Sequence, residues 1–303
     1  MSVPQPIPYQ GSKRAIARDI IAQFPPNVIR LVEPFAGSGA VSLAAAHDGK
    51  ANRFLLNDIN EPLIQLWDRI INDPEELAAE YRELWEAQIG REKEFYNLVR
   101  QQFNKNHAPG LFLYLLARCV KASIRYNPAG EFNQSPDNRR KGASPEEMKT
   151  RIKEASFLLR GKSELHSVDY RDLLASVSSQ DVVYLDPPYQ GVSEARDKRY
   201  IKPVPFSSFV EALEDLNGRG VPFIVSYDGQ TGNKIHGREL PDHLRLVRLE
   251  IRAGRSSQAT LLGKSDETVE SLYLSNALVN GLKQITLPIV TASYQGSLFA
   301  SQP

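Results

Sequence analysis

Val28-Ile29-Arg30-Leu31-Val32-Glu33-Pro34-Phe35-Ala36-Gly37-Ser38-Gly39 is a short apolar run that breaks into a turn of small residues. Residues 28–33 read as a buried strand. Val41-Ser42-Leu43-Ala44-Ala45-Ala46, just after the turn, is a good helix former. Residues 53–56 read as a second strand, ending at Asn57-Asp58. Strand, glycine turn, helix and strand make one βαβ unit, the start of an α/β sheet. A glycine turn after the first strand lets a ligand approach the backbone closely. Two glycines alone fit an ordinary tight turn better than a ligand loop, and the third glycine of the dinucleotide fingerprint is absent. Asp58 adds to the ligand reading, because a carboxylate ending the second strand can accept hydrogen bonds from ribose hydroxyls. It can also open the helix that carries Pro62.

Upstream, Ile16, Ile20, Ile21 and Phe24 have helical spacing, and Pro25-Pro26 stops that helix. Downstream, the helical period dominates residues 60–159. Asn60 can cap a helix carrying Leu63, Leu66, Trp67 and Ile70 on one side. Asp73-Pro74-Glu75-Glu76 is a helix start, and Ser144-Pro145-Glu146-Glu147 a capping box. Residues 111–120 read as a buried helix, and residues 127–143, rich in Asn, Gly, Pro and Arg, as an ordered loop. Strand signals return at 165–168 and 181–185, followed by a helix over 206–216 and a strand over 221–227. Further strands are expected at 244–251, 269–274 and 284–290. The expected organisation is an α/β unit from residues 1–59 and 165–303, interrupted by a mostly helical insert over 60–164.

The 303 residues suffice for one large domain or one domain with an insertion. With 41% hydrophobic and 24% charged residues, a globular chain with a sizeable core is expected. No stretch approaches the roughly 20 apolar residues needed to span a bilayer, and Met1-Ser2-Val3-Pro4-Gln5-Pro6 lacks the plan of a secretion signal. Cys119 is the sole cysteine, which excludes an internal disulfide or a multi-cysteine zinc site and suits a reducing cytoplasm. No metal ligand set is expected. Net charge is +1 but unevenly spread: residues 100–162 hold thirteen Lys+Arg against five Asp+Glu, so the remainder is net negative. A basic insert fits contact with a polyanion, and also a solvated helical face.

Asp186-Pro187-Pro188-Tyr189 is far more specific, a word expected by chance in roughly one chain of this length in 500. It follows the buried strand Val182-Val183-Tyr184-Leu185, at the end where open α/β sheets bind ligands. The prolines stiffen the loop, donate nothing, and leave the Pro187 carbonyl free to accept a hydrogen bond. Asp186 supplies a second acceptor and Tyr189 a flat apolar face. Two acceptors and a stacking plane suit an amino group on an aromatic base. The plain alternative is a rigid turn with an N-capping Asp.

Taken together, these motifs resemble the Dam-like (D12) class of DNA adenine-N6 methyltransferases, over most of the chain and in the family's order. The resemblance implies a Rossmann-like class I methyltransferase sheet with an inserted, mostly helical target-recognition domain, and S-adenosyl-L-methionine as cofactor. Tyr9-Gln10-Gly11-Ser12-Lys13 is similar to the segment whose Tyr9 and Lys13 contact the cofactor. Phe35, Ala36, Gly37 and Gly39 lie in a stretch that resembles the cofactor glycine loop, and Asp58 in one that resembles the segment with the ribose-binding acid. Asp169, after Val168, resembles the acid that reads the cofactor's adenine, and Asp186 borders the cofactor too. The resemblance implies the catalytic positions for Asp186, Pro187 and Tyr189. Phe223-Ile224-Val225-Ser226-Tyr227 resembles the strand after the catalytic loop. Arg255-Ser256-Ser257, followed by Glu270-Ser271-Leu272, resembles the final hairpin region.

Arg125-Tyr126-Asn127 and Gly130-Glu131-Phe132-Asn133 are similar to the DNA-reading segment. Lys121, Arg125, Tyr126, Asn127, Asn133, Arg139, Arg140 and Lys141 are the implied DNA contacts. Before Arg125 the family's type member carries Tyr-Asn-Gly where this chain has Val120-Lys121-Ala122, which counts against GATC as its target. The resemblance further implies double-stranded DNA as partner, a cytoplasmic or nucleoid setting, and action as a monomer or weak dimer. A cognate restriction endonuclease is a possible companion. The same fold also serves cytosine-N4 and protein-glutamine methyltransferases, whose loops begin with Ser or Asn instead of Asp. A nicotinamide oxidoreductase leaves the 186–189 word unexplained, and a catalytically idle DNA-binding protein leaves both loops unexplained.

Overall fold

A computed structural model of the chain describes residues 2–188, 204–231, 234–236, 238–255 and 267–283. The expected strand at 284–290, Ser256, Ser257 and Tyr189 lie outside the described residues.

The opening stretch folds as its periodicity dictates. Strand β1 (Val28–Glu33) leads through the glycine turn into helix α2 (Ala40–His47), which returns the chain to β2 (Ala51–Asn57). Before them, Ile16, Ile20, Ile21 and Phe24 are buried around the short helix α1 (Ala17–Ile21). After β2 come five helices: α3 (Glu61–Asn72), α4 (Pro74–Ala87), α5 (Glu92–Asn106), α6 (Pro109–Arg118) and α7 (Pro145–Leu159). The Ser144 hydroxyl accepts the Glu147 N–H, as the capping box requires. Strand β3 (Ser163–His166) and helix α8 (Tyr170–Ala175) lead to β4 (Asp181–Leu185). Helix α9 (Phe206–Gly218), β5 (Phe223–Thr231), β6 (Lys234–His236), β7 (Val247–Arg255), β8 (Glu267–Leu274) and helix α10 (Asn276–Lys283) complete the described chain.

The sheet runs β3-β2-β1-β4-β5-β8-β7, with β6 added to β5. The first five strands are parallel, while β8 and β7 join as antiparallel neighbours. From β1 the chain builds outward through β2 and β3, then returns across β1 to place β4 on its other side. Strand order therefore reverses between β1 and β4, the crossover that opens a ligand crevice in a doubly wound sheet. This is the Rossmann-like arrangement.

Alternating residues feed two cores. Leu31, Phe54, Leu56, Val182, Tyr184 and Ile224 pack with α1–α7, and this cluster is continuous from the sheet through α3–α7. Val32, Leu55, Val183, Leu185 and Val225 pack with α8 and α9 on the other face. Strand β4 is buried at every position, which explains its apolar run from Val182 to Leu185; the buried Asp181 at its start is paired with Arg30. Among the described residues no helix is long and apolar enough to cross a membrane.

Candidate active site

A cavity of about 650 Å³ opens at the C-terminal ends of β1, β2, β4 and β5. Local chemistry holds those ends together. The Asn57 amide is buried and donates to the carbonyls of Pro34 (2.9 Å) and Val168 (3.1 Å), while its own oxygen accepts from the Val168 N–H (2.9 Å). One side chain thus ties the segments that follow β1 and β3 to the end of β2.

The glycine turn is shaped by two separate constraints. Gly37 has φ +49°, and a Cβ there would meet the Tyr9 ring at 3.2 Å. Its N–H donates to Asp58 Oδ2 (3.1 Å) and its carbonyl accepts from the Trp67 indole (3.0 Å). Gly39 has φ +57°, and a Cβ there would fall 2.7 Å from the Trp67 ring. Gly39 therefore serves the packing of α3 against the turn; it does not line the cavity, whereas Tyr9, Lys13, Phe35, Ala36, Gly37, Asp58, Asp169 and Asp186 all do. Phe35 is fixed by the Tyr170 ring, 5.2 Å between centroids.

Asp58 is anchored by two backbone donors, Gly37 and Asn60 (3.0 Å). Burial nevertheless raises its pKa above the ordinary value. Asp169 caps α8 through the Arg171 N–H (3.0 Å) and pairs with the Arg171 guanidinium. Asp186 ends β4, with the Lys13 ammonium 3.3 Å away. Burial, reinforced by Glu270, pushes its carboxyl up to about 6 against the opposing pull of Lys13. Pro187 and Pro188 continue the lining.

Glu33, Tyr184 and Glu270 also face the cavity, and neither pattern nor spacing assigned them a separate task. Glu33 is buried, accepts the Ser42 N–H at 2.7 Å, and is pushed up to about 7 chiefly by that burial. The Tyr184 hydroxyl bonds Ser226 at 2.9 Å. Only tertiary placement reveals these residues, since a Glu in a strand end or a Tyr in a buried strand carries no local signal.

The segment after α6 reaches the same cavity. Ala122, Ser123 and Ile124 line it, and the Ala122 carbonyl accepts the Gln10 N–H at 2.9 Å. Residues 125–133 close into a small antiparallel hairpin, more ordered than a loop: Asn133 N–H donates to Arg125 and Asn127 N–H to Glu131. The Asn127 side chain braces the turn through Glu131. The Tyr126 hydroxyl donates to Asn60 Oδ1 at 3.0 Å and its ring packs edge-on to Phe132, so this side chain is a strut more than a surface reader. Lys121, Arg125, Asn133, Arg139, Arg140 and Lys141 are exposed. Arg140 pairs with Asp137 and Lys141 with Glu92.

The family model for the D12 class N6 adenine-specific DNA methyltransferase matches residues 9–254. Among curated relatives, the chain is 30% identical over 260 residues to the Retron Ec67 DNA adenine methylase of Escherichia coli, covering 83% of this chain and 87% of that protein. It is 28% identical over 274 residues to the DNA adenine methylase of Escherichia coli K12, covering 88% and 93%. To the DNA N-6-adenine-methyltransferase of Escherichia phage P1 it is 28% identical over 232 residues, 73% of this chain and 29% of that protein. A model match over most of the length, together with the β1–β4 crevice and Asp186 at its rim, places this chain in the D12 class of N6 adenine-specific DNA methyltransferases.

Proposed function

We propose that this chain binds S-adenosylmethionine in the β1–β4 cavity and methylates N6 of an adenine flipped out of duplex DNA. The observation that carries this reading is Asp186 itself: a half-buried carboxylate just past the end of β4, next to the buried Lys13, in the same cavity as the glycine turn and Asp58. The cavity suits the cofactor. Its volume lies in the range of small-ligand sites. Gln10 Oε1 and the Tyr170 hydroxyl, both on lining residues, are buried polar atoms with no hydrogen-bond partner among the described residues, ready for a polar ligand.

When bound, the cofactor supplies an electrophilic methyl group on a sulfonium. Asp58 would take ribose hydroxyls and Asp169 the cofactor's adenine edge. Asp186 and the Pro187 carbonyl would accept the hydrogens of the target amino group. That favours a pyramidal nitrogen with its lone pair free for attack. The two acceptors gain strength as positive charge develops on nitrogen, so they act mainly in the transition state. No dedicated base is required, because the methylated ammonium is strongly acidic. Tyr189 would return part of the flipping cost by stacking, roughly 1–3 kcal/mol. Lys121, Arg125, Asn133 and Arg139, with Arg140 and Lys141, would meet DNA; the cationic members would make binding fall steeply with salt.

Purified protein, radiolabelled cofactor and mixed-sequence duplex DNA test the proposal directly. Label in N6-methyladenine on nucleoside analysis supports it; cofactor binding with no transfer at low salt removes it. Label in N4-methylcytosine would redirect it to the other base.

The raised Asp186 carboxyl makes the reaction pH-dependent. An acceptor must be unprotonated, so kcat/KM is expected to fall as pH drops through about 6. A flat profile from pH 5 to 8 would count against an accepting role for Asp186.

Tyr126→Phe tests the strut. Losing the bond to Asn60 is worth about 1 kcal/mol. The DNA KM is expected to rise about fivefold with kcat nearly unchanged, measured by steady-state kinetics. An unaltered KM would free Tyr126 from that task.

A further inference from the structure

Glu270 reaches the catalytic loop from an antiparallel strand on the far side of β5. It pairs with Gly229 of β5, just past a register shift between Ser226 and Gly229. A Cβ at Gly229 would lie 2.7 Å from the Val269 carbonyl, so glycine keeps the two strands close there. Both residues line the cavity.

Lys13 is the link to Asp186. Its ammonium lies 2.7 Å from Glu270 Oε2 and 3.3 Å from Asp186 Oδ1, and its side chain is 5% exposed. One buried cation is thus shared between two carboxylates, and the nearer one is Glu270. Away from water such contacts are strong. Without Glu270, the whole attraction of Lys13 would fall on Asp186. A carboxylate fully engaged by an ammonium is a poor acceptor for a neutral amino group.

We infer that Glu270 is a positioning residue for methyl transfer: it holds Lys13 so that Asp186 keeps accepting capacity for the amino group of the target base. The inference rests on the accepting role proposed above for Asp186. Among the described residues, the groups facing Asp186 are Lys13, Glu270 and, further off, Glu33. Of these, the Glu270 charge raises the Asp186 pKa and Lys13 lowers it. Removing the Glu270 charge should therefore weaken Asp186 as a base and shift its titration downward.

Glu270→Gln keeps the shape and removes the charge. Its kcat at pH 7.5 is expected to fall at least tenfold, with cofactor Kd and DNA KM within threefold of wild type. The acid limb of its kcat profile should move to lower pH. The Lys13→Met/Glu270→Gln double variant removes both charges. Relative to Lys13→Met alone, its further loss in kcat should be under threefold, and this comparison remains informative if the single Gln variant folds poorly. A kcat within threefold of wild type, an acid limb that stays or moves up, or equal losses in both backgrounds would overturn the inference. Those outcomes, with Asp186→Ala slowed about a hundredfold or more and wild type methylating adenine, leave the functional reading intact. A wild type that methylates no adenine defeats both.

Discussion

Asp186→Ala is expected to lower kcat by about a hundredfold to a thousandfold, the loss typical of removing one acceptor or donor aimed at developing charge. The fold should survive. Lys13 keeps Glu270 at 2.7 Å, so no cation is left unpaired by the change. Single-turnover transfer at saturating cofactor isolates the chemical step from DNA binding and product release. Retention of more than about a tenth of the rate, a loss under ~1.4 kcal/mol, would show that Asp186 does not accept from the amino group. Asp186→Asn refines the test. It preserves one carbonyl acceptor but no charge, so its rate should fall between alanine and wild type.

The elements that place Asp186 were largely legible in the sequence. Strand β4 runs Asp181–Leu185, as its apolar run indicates, because a strand buried on both faces has no competing period. Strands β1 and β2 and helix α2 follow for a similar reason: periodicity, turn residues and helix propensity agree. Strand β3 is different. It occupies Ser163–His166 instead of 165–168, and its burial alternates with Leu165 as its sole apolar residue, while Val168 is 38% exposed beyond its end. Helix α8 has six residues, too few for a period, and its sequence signal is the Asp169 cap alone. Helix α10 follows β8 after Ser275 alone, whose hydroxyl accepts the Leu278 N–H, so no turn residues separate the two elements in the sequence.

The site divides along the same line. Asp58 and Asp186 directly follow strands, and Asp169 caps a helix, places that local pattern can locate. The Lys13–Glu270 contact joins opposite ends of the chain through a sheet order that no local pattern specifies. Tyr126 and Gly39 show the converse. Each sits in a motif that resembles a contact segment, yet packing commits Tyr126 to Asn60 and Gly39 to Trp67. A motif gives the segment; burial and partners decide which of its side chains are left for the ligand.

Asp58→Ala is expected to weaken cofactor binding at least about a hundredfold. Two effects combine. Any hydrogen bonds from ribose hydroxyls to a carboxylate are worth about 1.5–3 kcal/mol each. The same carboxylate holds the Gly37 and Asn60 N–H groups, so its loss leaves two donors unpaired and loosens the glycine turn. Asp58→Asn separates the contributions. It retains one oxygen acceptor for the turn while losing the charge, so its Kd should lie between wild type and alanine. Titration calorimetry with cofactor gives the Kd of each variant, and DNA binding without cofactor serves as the control. That control should change little except through the Asn60–Tyr126 link, a tie of about 1 kcal/mol. A cofactor Kd within fivefold of wild type in Asp58→Ala would remove Asp58 from the ribose and restrict it to bracing the turn.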